Sequence, residues 1–188
     1  MTNSKRTKPQ VKEIRPLGKL GMFRVQALDL TFANGQEREY FRLAAKRDAV
    51  TVVAVDGNDL LLIEEFAGGT LEYELGFVRG AIDEGETYLQ AGGRELAEEA
   101  GYEASSLTHL TTMYNSTGYQ TAKMYVVVAT GLSALAQRPE GDEPEPLEIV
   151  RWPLTKLDEL LTHPRFRDSR NLVALYAFRD YYHQYMQS

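Results

Sequence analysis

Residues 80–102 read GAIDEGETYLQAGGRELAEEAGY, and the fold turns on how the acidic half of this stretch is wound. On a wheel of 100° per residue, Glu95, Glu98 and Glu99 fall within about 100° of one another, so three carboxylates share one helical face. Like charges at this spacing repel by about 0.2–0.5 kcal/mol per pair. The helix has a legible start, because Thr87 and Gln90 match a capping box, and Gly101 is a natural stop. Gly92 and Gly93 each cost about 1 kcal/mol relative to alanine inside a helix, which predicts close packing against a sheet. Leu89 and Leu96 form the apolar face, so the carboxylates are expected to look away from the core. Three such acids make a hard-oxygen site suited to Mg²⁺ or Mn²⁺, ions that commonly bind together with substrate phosphates. Gly80 and Gly85, read as part of a loop before the helix, let the backbone approach a ligand closely.

Working outward, AVTVVAV (49–55) is β-branched and apolar on both faces and reads as a central buried strand. LLLIEEF (60–66) returns beside it after the DGND turn, and LEYELGF (71–77) alternates as a half-buried strand. After the helix come strands at about 106–114 and at 122–130, separated by the polar NSTGYQ turn, then an acidic loop, RPEGDEPEP (138–146), and a short strand in LEIVRWP. Two helices close the chain, the first starting at a Thr155-x-x-Asp158 cap and the second carrying Leu172, Leu175, Phe178, Tyr182 and Tyr185 at helical spacing. Ahead of all this, FRVQALDLTF and EREYFRLA flank Asn34-Gly35 as a β-hairpin, while residues 1–12 read as a frayed polar tail. The expected architecture is α+β, a mixed sheet between helical layers plus an N-terminal antiparallel hairpin. The expected division is an N-terminal region, 1–48, that serves dimerisation, and a main domain, 49–188.

The 188 residues are 43% hydrophobic, enough for one domain with a full core and a small appendage. A net charge of −6 without a dominant basic face argues against nucleic-acid binding through phosphate neutralisation. The absence of cysteine excludes disulfides, thiolate metal sites and a cysteine nucleophile, and fits a reducing compartment. His109, His163 and His183 show no metal-ligand spacing. With no secretory h-region and no apolar run near the ~18 residues of a membrane span, a soluble cytoplasmic protein is expected.

The 80–102 stretch also resembles the signature of the Nudix hydrolases: a glycine, five residues, a glutamate, seven residues, then Arg-Glu-aliphatic-x-Glu-Glu-x-Gly-aliphatic. Gly80, Glu86, Arg94, Glu95, Leu96, Glu98, Glu99 and Gly101 stand at the required positions, and Tyr102 alone departs. The resemblance implies an α/β/α sandwich whose loop and helix hold divalent cations, Mg²⁺ or Mn²⁺ in its place, against a diphosphate. Carried over, Glu95 and Glu99 become metal ligands, Glu98 a ligand or near neighbour, and the carbonyl near Gly80 a further ligand. Glu86 and Arg94 become the groups that orient them. The implied reaction is attack of water on a phosphorus of a nucleoside diphosphate linked to another moiety, for which Glu98 and Glu99 also count as catalytic. A general base is still required. GDEPEPLEIVRWPL resembles the loop that supplies a glutamate in the ADP-sugar branch, with Glu145 preferred and Glu143 the alternative.

YELGFVRGAIDEGE and SRNLVALY are most similar to the members of this family that cleave ADP compounds, which implies ADP-ribose, NADH and diadenosine di- or triphosphate as substrates. Ala67 stands where ADP-ribose diphosphatases carry an arginine, so strict ADP-ribose specificity is not implied. Arg42, Lys46, Arg47, Arg79 and Lys123 are candidate phosphate contacts, since a net-negative chain must supply local positive charge to an anion. Phe23, Tyr40 and Phe66 are candidate stacking partners for a base. In the resembling branch the N-terminal sheet reaches a second subunit, which implies a homodimer; neither a nucleic acid nor a membrane is implied as partner. Two other readings stand beside this one: a Nudix-fold metabolite sensor without catalysis, and a hydrolase of another nucleotide sugar such as a GDP-sugar.

Overall fold

A computed structural model describes residues 6–141 and 144–185. The chain divides into two compact units: one runs up to Lys46 and includes Ser116–Ala122, and the other comprises Arg47–Asn115 and the chain from Lys123 onward.

The first unit is a three-stranded antiparallel sheet in the order β1 (Gln10–Leu20), β2 (Phe23–Thr31), β3 (Glu37–Leu43). The expected hairpin is present as β2 and β3, with Gly35 at φ 80° in its turn and Asn34 accepting from the Gln36 amide. The third strand was hidden because VKEIRPLGKL alternates poorly and is exposed along almost its whole length, so burial leaves no period of two. Ser116–Ala122, read as a plain turn, joins this unit through the pairs Leu43 N–H to Tyr119 O (2.7 Å) and Ala45 N–H to Thr121 Oγ1 (2.9 Å).

The second unit is built on a seven-stranded mixed sheet whose main path is β10 (Glu148–Pro153), β5 (Asp59–Ala67), β4 (Ala49–Asp56), β9 (Lys123–Ala134), β8 (Tyr102–Tyr114). Along this path, among the described residues, only the β4–β9 pair is parallel. β4 and β5 pair at their hairpin end, Ala54–Asp56 against Asp59–Leu61, and then part. The gap is filled by β6 (Glu72–Gly76), which pairs with β5, and β7 (Val78–Ala81), which pairs with β4. VRGA is therefore a strand, not the loop its glycine suggested. Asn171 seals the junction. Its side chain accepts from the Phe77 amide (3.2 Å) and donates to the Leu75 carbonyl (3.3 Å), where a backbone pair would otherwise be lost.

Alternation along β4, β5 and β9 sends side chains to two cores. Val53, Val55, Leu60, Leu62, Val126 and Val128 meet α2 (Leu157–Leu161) and α3 (Ser169–Tyr185) through Leu160, Leu175 and Phe178. Val50, Val52, Ala54, Leu61, Ile63, Val127 and Ala129 face the other way, against Ala91, Leu96 and Ala100. Each fully buried large side chain contributes about 1.5–3 kcal/mol, which makes this α/β/α sandwich the stable arrangement. No helix among the described residues is long and apolar enough to cross a membrane. The Thr155 cap does not form: a 3₁₀ turn, Leu154–Lys156, leads into α2 without a side-chain cap.

Candidate active site

The glutamate helix begins as read, with Thr87 Oγ1 accepting from the Gln90 amide and the Gln90 side chain accepting from the Thr87 amide. It runs as α1 (Tyr88–Glu95) and then widens into a π-helical turn, Leu96–Ala100, before Gly101 ends it at φ 73°. The close approach of Gly92 is real: a β-carbon there would lie 3.3 Å from Val127 Cγ2 and 3.4 Å from Val52 Cγ2.

The wheel failed on depth. Glu95 and Glu99 do not look outward; both are buried, with Glu99 only 8% exposed. β7 runs beside this part of the helix, and it has room for acids because Gly80 lacks a side chain: a β-carbon on Gly80 would overlap the Glu95 carboxylate. The Arg79 amide donates to Glu99 Oε2 at 3.1 Å. Burial pushes the Glu99 carboxyl up to about 8 and raises Glu95 as well, although Arg94 opposes the latter.

Arg94 is the hub of the arrangement. Its Nε and Nη2 donate to the two oxygens of Glu86 (2.9 and 3.1 Å), its Nη2 also to the Ala81 carbonyl (2.9 Å), and its Nη1 to both Glu95 (2.8 Å) and Glu98 (2.9 Å). Glu86 in turn accepts from the Asp83 amide, and the Arg94 bonds hold its carboxyl below the usual range. Glu86 and Arg94 thus do have the geometry of orienting groups.

Across from the helix, residues 138–141 and 144–146 line one side of a cleft of about 530 Å³. Arg94, Glu95, Glu98 and Glu99 line one wall, and Arg138, Glu140 and Glu145 belong to the other. Glu145 accepts from the Tyr73 hydroxyl at 2.7 Å, and the bond raises the phenol's pKa. Glu143 lies outside the described residues. Phe66, half exposed, packs edge to face on Tyr73 with ring centroids 5.6 Å apart, beside Glu145 rather than in the core.

The basic candidates separate. Arg79 pairs with Glu65 at 2.7 Å, and its Nη1 is buried without a hydrogen-bond partner, 4.0 Å from Asp168. Arg47 is engaged by Asp83. Arg42 belongs to the N-terminal sheet, where its Nε donates to Gln26. Sequence reasoning missed Tyr73 and Arg138, since a single tyrosine in a strand and a single arginine beside prolines carry no spacing signal.

All ligand-type groups at the helix are oxygens, the donor set of a hard divalent cation. Among the described residues, no three carboxylate or imidazole side chains converge on one metal-sized point. Arg94 Nη1 explains part of this, because it draws Glu95 and Glu98 toward itself. The donor chemistry nevertheless fits such an ion: a buried acid raised to about 8 stands among carboxylates that outnumber the two guanidinium groups of the cleft.

A Nudix fold with its glutamate helix intact is what these elements define, and the chain belongs to the Nudix hydrolase family: residues 45–176 match the NUDIX domain. Residues 9–42 match the NudE-type Nudix hydrolase N-terminal domain. The chain is 42% identical over 175 residues to the ADP compounds hydrolase NudE of Escherichia coli (strain K12), covering 93% of each chain. It is 28% identical over 159 residues to the ADP-ribose pyrophosphatase of Bacillus subtilis (strain 168), covering 84% of each. A crystal structure of an ADP compounds hydrolase superposes with a TM-score of 0.90 at 40% identity, over 97% of this chain and 98% of that one.

Proposed function

We propose that this Nudix hydrolase cleaves the diphosphate linkage of ADP-linked metabolites, among them ADP-ribose, NADH and diadenosine di- and triphosphate, releasing AMP. Water adds to one phosphorus and the bridging P–O bond breaks, so ADP-ribose yields AMP and ribose 5-phosphate. The observation that carries this reading is the cleft itself, where buried Glu95 and Glu99 face Glu145 across a space for a diphosphate. Similarity to proteins named as ADP compounds hydrolases supports the substrate class.

Glu95 and Glu99, with Glu98 and the Gly80 carbonyl, are the groups that would hold Mg²⁺ or, in its place, Mn²⁺. When bound, the ion neutralises the diphosphate and polarises its oxygens, which this acidic cleft cannot do by itself. Arg94 and Glu86 keep the helix carboxylates in place. Glu145 serves as the base that takes the proton from the attacking water, Tyr73 fixing the direction of its carboxylate. Arg79, whose amide holds Glu99, is the candidate for bringing positive charge to the phosphates from beside the cleft, whereas Arg47 would first have to leave Asp83, and half-exposed Phe66 is available to stack on a flat group.

The working form in this reading is a cytoplasmic homodimer. Exposed apolar side chains stand on both faces of the N-terminal sheet, Val11 and Ile14 on one and Leu20, Phe23 and Phe41 on the other, exposure of the kind that a second subunit covers.

The test is a substrate panel of ADP-ribose, NADH, diadenosine compounds and GDP-sugars with Mg²⁺ or Mn²⁺, the products identified by mass. AMP from the ADP-linked members is expected. Preferred cleavage of a GDP-sugar, or tight binding without any hydrolysis, would replace this reading with one of its rivals.

A further inference from the structure

Arg138 stands at the first foot of the acidic loop, and its side chain turns back onto main chain. Its Nε donates to the Glu98 carbonyl at 2.6 Å and its Nη1 to the Leu147 carbonyl at 3.1 Å. Glu98 lies in the last turn of the glutamate helix, where carbonyls run out of intrahelical partners; the Gly101 amide serves Ala97 and Leu96 instead. Leu147 is the second foot of the loop, its side chain buried with Leu96 and Ala100. Two further contacts bring the loop onto the helix end. The stem of Arg138 covers Gly101, where a β-carbon would lie 3.6 Å from it, and Gly141 passes over Glu98, since a β-carbon on Gly141 would lie 3.6 Å from Glu98 Cβ.

One guanidinium therefore joins both feet of the 138–147 loop to the helix that bears Glu95 and Glu99. Glu145 sits two residues before the second foot. We propose that Arg138 is a positioning residue which sets the placement of Glu145 against the helix carboxylates, an inference that rests on Glu145 acting as the base. A planar fork suits two carbonyls at once, whereas a lysine ammonium keeps the charge but not the fixed angle between donors.

The experiment compares the full-length wild type, Arg138→Lys, Glu145→Gln and the double variant with Mg²⁺ and ADP-ribose, reading kcat, KM, Tm and hydrogen–deuterium exchange of peptides from 138–150 and 88–100. Arg138→Lys is expected to lower kcat by about 10- to 100-fold through misplacement of the base. KM should stay within about twofold. The loop should exchange faster while the helix keeps its protection, and the lysine change should add nothing once Glu145 is glutamine. Equal kcat losses in both backgrounds overturn the proposal, as does unchanged exchange of the loop. If Glu145→Gln alone keeps wild-type kcat, the base assignment falls, and loop exchange then decides for or against the tether on its own. Should the lysine variant be poorly folded, Arg138→Ala with added guanidinium gives the same decision: recovered kcat supports the tether and no recovery refutes it.

Discussion

The Glu95 carboxylate occupies the space that a side chain on Gly80 would need. Gly80 is not there for backbone freedom, since its φ is not in the left-handed region. Gly80→Ala should therefore push Glu95 out of place while leaving β7 paired with β4. The expected result is a loss of kcat of about 100-fold or more, of the size that misplacement by an ångström produces. Titration with Mg²⁺ should show weakened binding, and a variant with normal metal affinity would contradict the steric argument.

Glu99 couples pH to stability and, as a proposed metal ligand, should couple both to Mg²⁺. Its folded-state pKa, pushed up to about 8 by burial, lies above the unfolded value near 4.5, so the folded protein holds a proton that the unfolded chain releases. Between those values the metal-free protein loses stability as pH rises, and the loss is complete above about pH 8. With chelator present, Tm should be lower at pH 8 than at pH 6. Glu99→Gln should flatten that dependence, while Mg²⁺ should raise the wild-type Tm more at pH 8 than at pH 6. Thermal melts across this range decide the matter.

The same Glu99→Gln variant should turn over ADP-ribose slower by orders of magnitude with its circular dichroism unchanged. Near-normal AMP release would remove Glu99 from the metal-holding set.

Arg94 makes five hydrogen bonds, two of them to Glu86, and no other side chain type reproduces that fork. Arg94→Ala should cost about 2–4 kcal/mol by leaving partly buried carboxylates without their cation. Denaturant melts give the stability; a parallel assay should find almost no activity at temperatures where the variant is still folded.

Tyr73→Phe removes one hydroxyl and one hydrogen bond to Glu145. Because Phe66 keeps its edge-to-face partner, the fold should tolerate the change. A several-fold fall in kcat with KM unchanged is expected, since one exposed hydrogen bond is a modest restraint. A change confined to KM would place Tyr73 in substrate binding instead.

Much of the candidate site was legible because the helix announces itself twice, by the Thr87 cap and by the repulsive trio of glutamates. The strands at 49–55 and 60–66 were legible because burial on both faces leaves an unbroken apolar run. What escaped had no local signature. β1 is solvated on both faces, β7 looks like a loop because of the glycine that makes room for Glu95, and a wheel gives direction around an axis but not which neighbour lies there. Arg138 and Asn171 act on carbonyls and amides far away in sequence, and such partners leave no mark on spacing.

Asn171 lies on the helical layer opposite the one that carries the glutamates, yet it grips the chain at Phe77, three residues ahead of Gly80. The sheet is therefore not an insulating floor between its two sides. Variation in α3 will reach the chemistry from behind through a single amide, so remoteness from the cleft is a poor guide to which changes evolution or an engineer can make freely.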